Sequence, residues 1–288
     1  MTLERPSDTT LPFFAYGVFR PGEIGFFQLK HLVSSASGPS RAVGALRIRD
    51  GLPILDPTQG STLVGQLLEF APEFADEAYD RIAAMEPGKQ YRWGITSVDG
   101  VKANVLVGRS PQKGSAQSDG AWSSWDDPLF VEGLDVVDEV LEGSGAFEFD
   151  FKNLFRLQMA YLLLWSSIER YVSLRYHLRG NATEKVDHLA GESAFAQAIR
   201  DHVRRRDEVR SAAEPDDKYV LDSSSPKKCL GYYYQIRSNI THRGKAAYDD
   251  YDRVRMALAE LLPIFRAALA AAQVDAAPEP AQERRAGA

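Results

Sequence analysis

The sequence predicts an α+β protein in two parts, a strand-rich front domain and an all-α back domain. Three observations predict it. Short apolar runs punctuated by Gly, Pro and Asp-Gly turn signals recur up to residue 109. A Ser/Gly-rich stretch follows over 110–120. From residue 149 the apolar positions recur at helical spacing. At 288 residues the chain has room for two domains of roughly 150 residues each.

Residues 1–10 are polar and are expected to be a disordered N-terminus. Phe13-Phe14-Ala15-Tyr16 reads as a strand stopped by Gly17, with Pro21-Gly22 as a turn. Strands are expected over 42–48, 62–70, 91–98 and 101–107, the last two joined by an Asp99-Gly100 hairpin. A helix is expected over 72–85. Pro72 lies in its first turn, Glu73, Asp76 and Glu77 sit at its positive end, and Phe74, Ala78, Tyr79 and Ile82 form its apolar stripe. The front domain is thus 11–109, and 110–148 is a linker holding a short acidic helix over 129–141.

The back domain covers 149–272. Its first helix is expected over 151–178, with Phe151, Leu154, Gln158, Leu162, Trp165, Glu169 and Val172 along one stripe. Further helices are expected over 183–190, 192–212, 226–240 and 250–272, the last with Asp249 as N-cap. The Ala/Pro/Glu-rich tail 273–288 is expected to be disordered.

Composition narrows the function classes. Hydrophobic residues at 44% and charged residues at 26% exclude wholesale disorder. One cysteine, Cys229, excludes an intrachain disulfide and a four-thiolate zinc site. The opening Met1-Thr2-Leu3-Glu4-Arg5-Pro6 has no apolar signal region. The run Tyr161-Leu162-Leu163-Leu164-Trp165 is far short of the roughly 20 residues that span a bilayer. The expectation is a cytoplasmic protein with no membrane partner. Residues 1–149 carry 12 Lys+Arg against 21 Asp+Glu, whereas 150–272 carry 20 against 16. An acidic front and a mildly basic back suggest different partners for the two halves.

Two front-domain motifs carry chemistry. Tyr16-Gly17-Val18-Phe19-Arg20-Pro21-Gly22 is a strand-end loop whose N–H groups can converge on an anion, with Arg20 placed to add charge. In Met85-Glu86-Pro87-Gly88-Lys89-Gln90-Tyr91-Arg92, Glu86 stands where a helix ends. A helix C-terminus disfavours an anion, so a buried carboxyl there has a raised pKa and can serve as a base. In this order and separation the two motifs resemble the γ-glutamylcyclotransferase-like family, which includes the plant avirulence-induced proteins. Tyr16-Gly17, Arg20, Glu86 and Tyr91 match its pattern, and strands with Gly44 and Gly65 are in place. Val18-Phe19 departs from it, since the family has a hydroxyl residue and Leu there. The resemblance implies a small mixed β-barrel with flanking helices. It implies a γ-glutamyl group bound by residues 16–20 and Tyr91, with Glu86 as the base that drives closure to 5-oxoproline.

The back domain carries Arg237-Ser238-Asn239-Ile240-Thr241-His242-Arg243. On a regular helix, side chains five apart diverge by roughly 140°. Arg237 and His242 therefore converge only if the helix ends between them, as Gly244 suggests. A guanidinium that grips phosphate and an imidazole that moves protons suffice for RNA cleavage, because the 2′-OH is the nucleophile. The Arg-x4-His spacing before a final long helix resembles the HEPN superfamily, and Ser166–Tyr171 looks like part of that fold's first helix. The resemblance implies an up-and-down helical bundle, a homodimer with two such motifs at one cleft, and metal-independent endoribonuclease activity of a toxin or defence type. Arg237 would stabilise the transition state and His242 would transfer the proton. Glu169, Ser238, Asn239 and Arg243 would support the RNA site.

Arg204-Arg205-Arg206 reads as a solvated helix face, Tyr232-Tyr233-Tyr234 as core, and Cys229 as a small buried hydrophobe. His31, His177, His188 and His202 show no metal-ligand spacing, and neither metal nor cofactor is expected. The leading expectation is an RNA-cleaving effector whose front domain is regulatory or catalytic. One alternative is a γ-glutamyl(amine) cyclotransferase whose helical domain only dimerises, and a second is a non-enzymatic binding module.

Overall fold

A computed structural model describes residues 3–117, 120–144, 150–176, 182–243 and 248–277. The protein is a mixed α+β chain with a sheet-rich front and a helical back. It divides into two compact units: 1–127 together with 273–288, and 128–272.

The front unit contains β1 (Phe13–Ala15), β2 (Val33–Ala36), β3 (Ser40–Val43), β4 (Ala45–Arg49), β5 (Leu52–Asp56), β6 (Thr62–Phe70), α1 (Ala75–Met85), β7 (Tyr91–Val98), β8 (Val101–Gly108) and β9 (Ser115–Ala116). One sheet runs in the order β2, β6, β1, β8, β7, with β3 paired to the first half of β6. A second sheet runs β5, β4, β9. Among the described residues no strand pairing closes these sheets into a barrel. The expected strand over 42–48 is divided at Gly44, whose φ of 146° lies outside the range of strand residues with a side chain. β6 crosses the middle of the large sheet. Gly65 permits this, since a Cβ there would lie 2.6 Å from both the Ala15 carbonyl and the Phe14 ring.

Two Asp-Gly turns with positive φ at both residues close hairpins: Asp99-Gly100 (51° and 85°) as expected, and Asp50-Gly51 (54° and 71°) between β4 and β5. The second hairpin places β5 at an edge, where the missing N–H of Pro53 is tolerated. In α1, Ala78, Tyr79, Ile82 and Ala83 face the core, while Phe74 is exposed and forms the N-cap position.

Three expectations are corrected here. Residues 3–10 are not frayed: Arg5 pairs with Asp76 (2.8 Å) and Asp80 (3.0 Å), and Asn104 donates to the Asp8 carbonyl (2.7 Å). The stretch 110–120 is not a free linker, because β9 pairs with β4 and the Gly120 carbonyl accepts from Val64. The tail does not fray at 273. The last helix runs to Ala276, whose carbonyl accepts from the Gly22 N–H (2.7 Å). Residues 278–288 lie outside the described residues.

The back unit contains α2 (Glu132–Ser144), α3 (Phe151–Tyr176), α4 (Ala182–Ala190), α5 (Ser193–His202), β10 (Asp207–Arg210), β11 (Lys218–Leu221), α6 (Pro226–Arg243) and most of α7 (Tyr248–Ala276). It is not all-α. The helix expected over 192–212 ends at His202, and β10 and β11 form an antiparallel hairpin. Arg204–Arg206 therefore sits on a connection, where Arg205 bridges Glu260 and Asp207. On α3 the core stripe is Leu154, Leu157, Tyr161, Leu164, Trp165, Ile168 and Val172, whereas Phe151 is exposed. Tyr232, Tyr233 and Cys229 are buried. The final helix begins at Tyr248, so Asp249 lies within it and not ahead of it.

α7 holds a window of mean hydropathy 1.5, long and apolar enough to cross a membrane by composition alone. Ala257, Leu258, Leu261, Leu262, Ile264, Phe265 and Ala268 are all buried, the pattern of a packed core helix.

Candidate functional site

Glu86 is placed by the residue after it. Pro87 disfavours helical backbone at the preceding position, so Glu86 takes φ −93° and ψ 133° and ends α1. Its N–H still closes the helix on the Ile82 carbonyl (3.0 Å), but its side chain is only 5% exposed. The Oε2 atom is buried without a hydrogen-bond partner. Burial alone pushes the carboxyl up to about 8.

Glu86 lines a small pocket with Phe13, Tyr16, Gly17, Val18, Phe19, Pro53 and Tyr91, a cavity of about 20 Å³. Gly17 lets the loop after β1 approach β5, because a Cβ there would lie 2.6 Å from Pro53 Cγ. Among the described residues no protein acceptor takes the N–H of Gly17 or Val18, while the Arg20 N–H turns back to the Gly17 carbonyl (2.9 Å). The pocket thus gathers an ionisable oxygen and two residues whose N–H groups take no protein acceptor.

The structure gives three of the sequence-derived pocket residues different work. The Tyr16 hydroxyl donates to the Leu106 carbonyl (2.6 Å) and accepts from the Leu55 N–H (3.1 Å). The Tyr91 hydroxyl donates to the Pro53 carbonyl (2.8 Å). Both phenols are pushed up, first by burial and further by the nearby Glu86 charge. They wall the pocket and do not titrate in it. Arg20 adds no charge there, since its guanidinium reaches Glu23 and the Trp122 carbonyl. Val18 and Phe19 line the pocket and are buried.

Sequence reading missed Phe13, Ala15, Leu52, Pro53 and Leu106 in the lining, though it placed the first two on the preceding strand. Asp50-Gly51 was the available signal for Leu52 and Pro53, being the same hairpin signature as Asp99-Gly100.

In the back unit Arg237 Nη2 lies 3.3 Å from Glu169 Oε1, and its guanidinium stands over the Tyr234 ring at 5.7 Å. The helix does not end between Arg237 and His242. α6 continues through Arg243, and Thr241 Oγ1 donates to the Arg237 carbonyl (2.9 Å) four residues back. Within one chain the two side chains therefore leave the helix roughly 140° apart. His242 is exposed and Ser238 half-buried, while the Arg243 side chain lies outside the described residues. Asn239 is buried and ties α6 to the hairpin. Its Oδ1 accepts from the Ala212 N–H (2.8 Å) and Gln235 (2.9 Å), and its Nδ2 donates to the Arg210 carbonyl (2.9 Å). Among the described residues no group of three or more His, Cys, Asp or Glu side chains is gathered for a metal.

No protein-family model matches the chain, and no curated protein does. A crystal structure of an uncharacterized Pyrococcus horikoshii protein is similar at 22% identity, covering 38% of this chain and 88% of that one with a TM-score of 0.33.

Proposed function

We propose that the Glu86 pocket is a proton-transfer active site that converts γ-glutamyl amides or amines to 5-oxoproline on a γ-glutamylcyclotransferase-like front unit. The observation that carries this reading is the unpartnered, buried Glu86 Oε2 beside the unaccepted N–H groups of Gly17 and Val18. A lone buried carboxyl with its pKa at about 8 favours a cationic ligand, whose charge stabilises the carboxylate. The α-ammonium of a γ-glutamyl substrate ionises only modestly above this, so proton transfer between the two is a small uphill step.

The carboxylate takes one proton from the ammonium. The freed amine attacks its own γ-carbonyl carbon, forming the ring C–N bond. The carbonyl oxygen gains negative charge, which the N–H groups of Gly17 and Val18 would stabilise by donating to it. The bond to the leaving nitrogen then breaks as that nitrogen collects the proton from Glu86, and the ring nitrogen passes its second proton through the regenerated carboxylate to the departing amine. Products are 5-oxoproline and a free amine, with no water consumed. Attack is intramolecular, so holding the chain folded supplies much of the acceleration. The test is release of 5-oxoproline from γ-glutamyl amides by the intact protein. Glu86→Gln should abolish it, and undiminished turnover would falsify the assignment.

RNA cleavage at a HEPN-like back unit is a second reading. The exposed His242 and the Glu169-oriented Arg237 at one end of α6 favour it. Because the two groups diverge on one helix, this reading requires a second copy of the chain to complete the cleft. Cleavage should then rise with dimer formation and vanish in His242→Ala. The cytoplasm suits both reactions.

A further inference from the structure

The loop that carries the pocket's main-chain donors is held by a buried carboxylate that no step of the proposed reaction uses. Glu23 is 3% exposed. Its Oε1 accepts from Arg20 Nη2, and the same Arg20 nitrogen donates to the Trp122 carbonyl (2.9 Å). Its Oε2 accepts from the Ser124 N–H (2.7 Å), Ser124 Oγ (2.8 Å) and Ser123 Oγ (3.3 Å). Ser124 Oγ in turn accepts from the Ile24 N–H (3.0 Å), and Trp125 Nε1 donates to the Gly22 carbonyl (2.6 Å). Two distant segments, 17–25 and 122–125, thus close on one carboxylate. Within the first, the Arg20 N–H bonds the Gly17 carbonyl and the Glu23 N–H bonds the Arg20 carbonyl, both at 2.9 Å. A Cβ on Gly25 would lie 2.8 Å from the Val18 carbonyl, so the loop folds back on the donor residue itself.

We infer that Glu23 is a positioning residue for the Glu86 reaction: through Arg20 and the 123–124 turn it fixes the backbone of Gly17 and Val18 against the pocket. Oxyanion donors act only when already oriented, and removing one typically costs 10²–10³ in rate. Loosening a donor loop costs less, about tenfold, because a fraction of molecules still holds the active geometry. Glu23 does not line the pocket, and burial alone raises Glu86, so the pH at which Glu86 ionises should not move. The inference rests on the Glu86 reading for its kinetic part and on geometry alone for its structural part.

The test compares the intact protein with Glu23→Gln, and with Ser124→Ala as the milder variant should the first fold poorly. Hydrogen exchange at the Arg20 and Glu23 amides should quicken about tenfold, with exchange within β6 unchanged. With a γ-glutamyl amide as substrate, kcat should fall about tenfold, KM should move less than twofold, and the pH limb should stay in place. Unchanged exchange at Arg20, equal acceleration in β6, a kcat within twofold of the parent, or a shifted pH limb overturns the inference. If the parent protein turns over no substrate, or Glu86→Gln matches it, the Glu86 reading fails instead, and the exchange measurements still judge the Glu23 clamp.

Discussion

Gly17 and Pro53 meet so closely that a Cβ on residue 17 would stand 2.6 Å from the proline Cγ. The contact brings the loop after β1 against an edge strand and narrows the pocket between them. Gly17→Ala should therefore cost about 1–3 kcal/mol by overpacking and lower 5-oxoproline formation at least tenfold. Adding Pro53→Ala should recover part of both losses, since the two changes share one contact. Strict additivity in denaturant titrations of the double variant would contradict this account.

The Glu86 carboxyl is raised by burial from 4.5 to about 8. The free-enzyme kcat/KM should accordingly rise with pH through about 8.

Stability should move the opposite way. Between 4.5 and about 8 the folded chain keeps a proton that the unfolded chain releases. The stabilisation is complete below the unfolded value and is lost as pH climbs through the folded one. Glu86→Gln removes that dependence, so its advantage over the parent should grow from pH 5 to pH 8 by on the order of 4 kcal/mol. Urea titrations at the two pH values check this.

Asn239 joins α6 to the hairpin segment through two hydrogen bonds, to the Ala212 N–H and the Arg210 carbonyl, and takes a third from Gln235 on its own helix. Asn239→Ala leaves the Ala212 N–H and the Arg210 carbonyl without those partners and should cost about 2–3 kcal/mol. The loss should appear as faster hydrogen exchange in β10 and β11.

Arg205 forms a two-pronged pair with Glu260 at 2.9 and 3.0 Å and a third contact to Asp207 at 2.7 Å, with Tyr232 and Tyr233 closing the network. Truncating Arg205 leaves the Glu260 carboxylate partly buried and uncompensated. Arg205→Ala should destabilise the back unit by about 3 kcal/mol. Arg204→Ala, an exposed neighbour, should stay within about 0.5 kcal/mol.

Much of this molecule was legible in one dimension. β6 and β7 fall where alternation and turns place them, and β8 ends one residue later than expected. Glu86 was identifiable because Pro87 ends its helix, a local steric effect between neighbours. The hairpin over 207–221 was not legible, since each strand is four residues long and buries a single side chain, Val209 or Leu221, too little for an alternation to show. Nor was the continuity of α6 through His242, because the Gly that suggested a stop lies beyond Arg243.

The sequence by itself determined the sheet-rich front and helical back and the stop that Pro87 imposes at Glu86, since turns, caps and proline act over a few residues. Tertiary structure alone decided that Tyr16, Tyr91 and Arg20 serve the scaffold, that Pro53 walls the pocket, and that Glu23 holds the loop. Those outcomes depend on which carbonyl or carboxylate stands within 3 Å of a donor after residues up to a hundred positions apart are brought together.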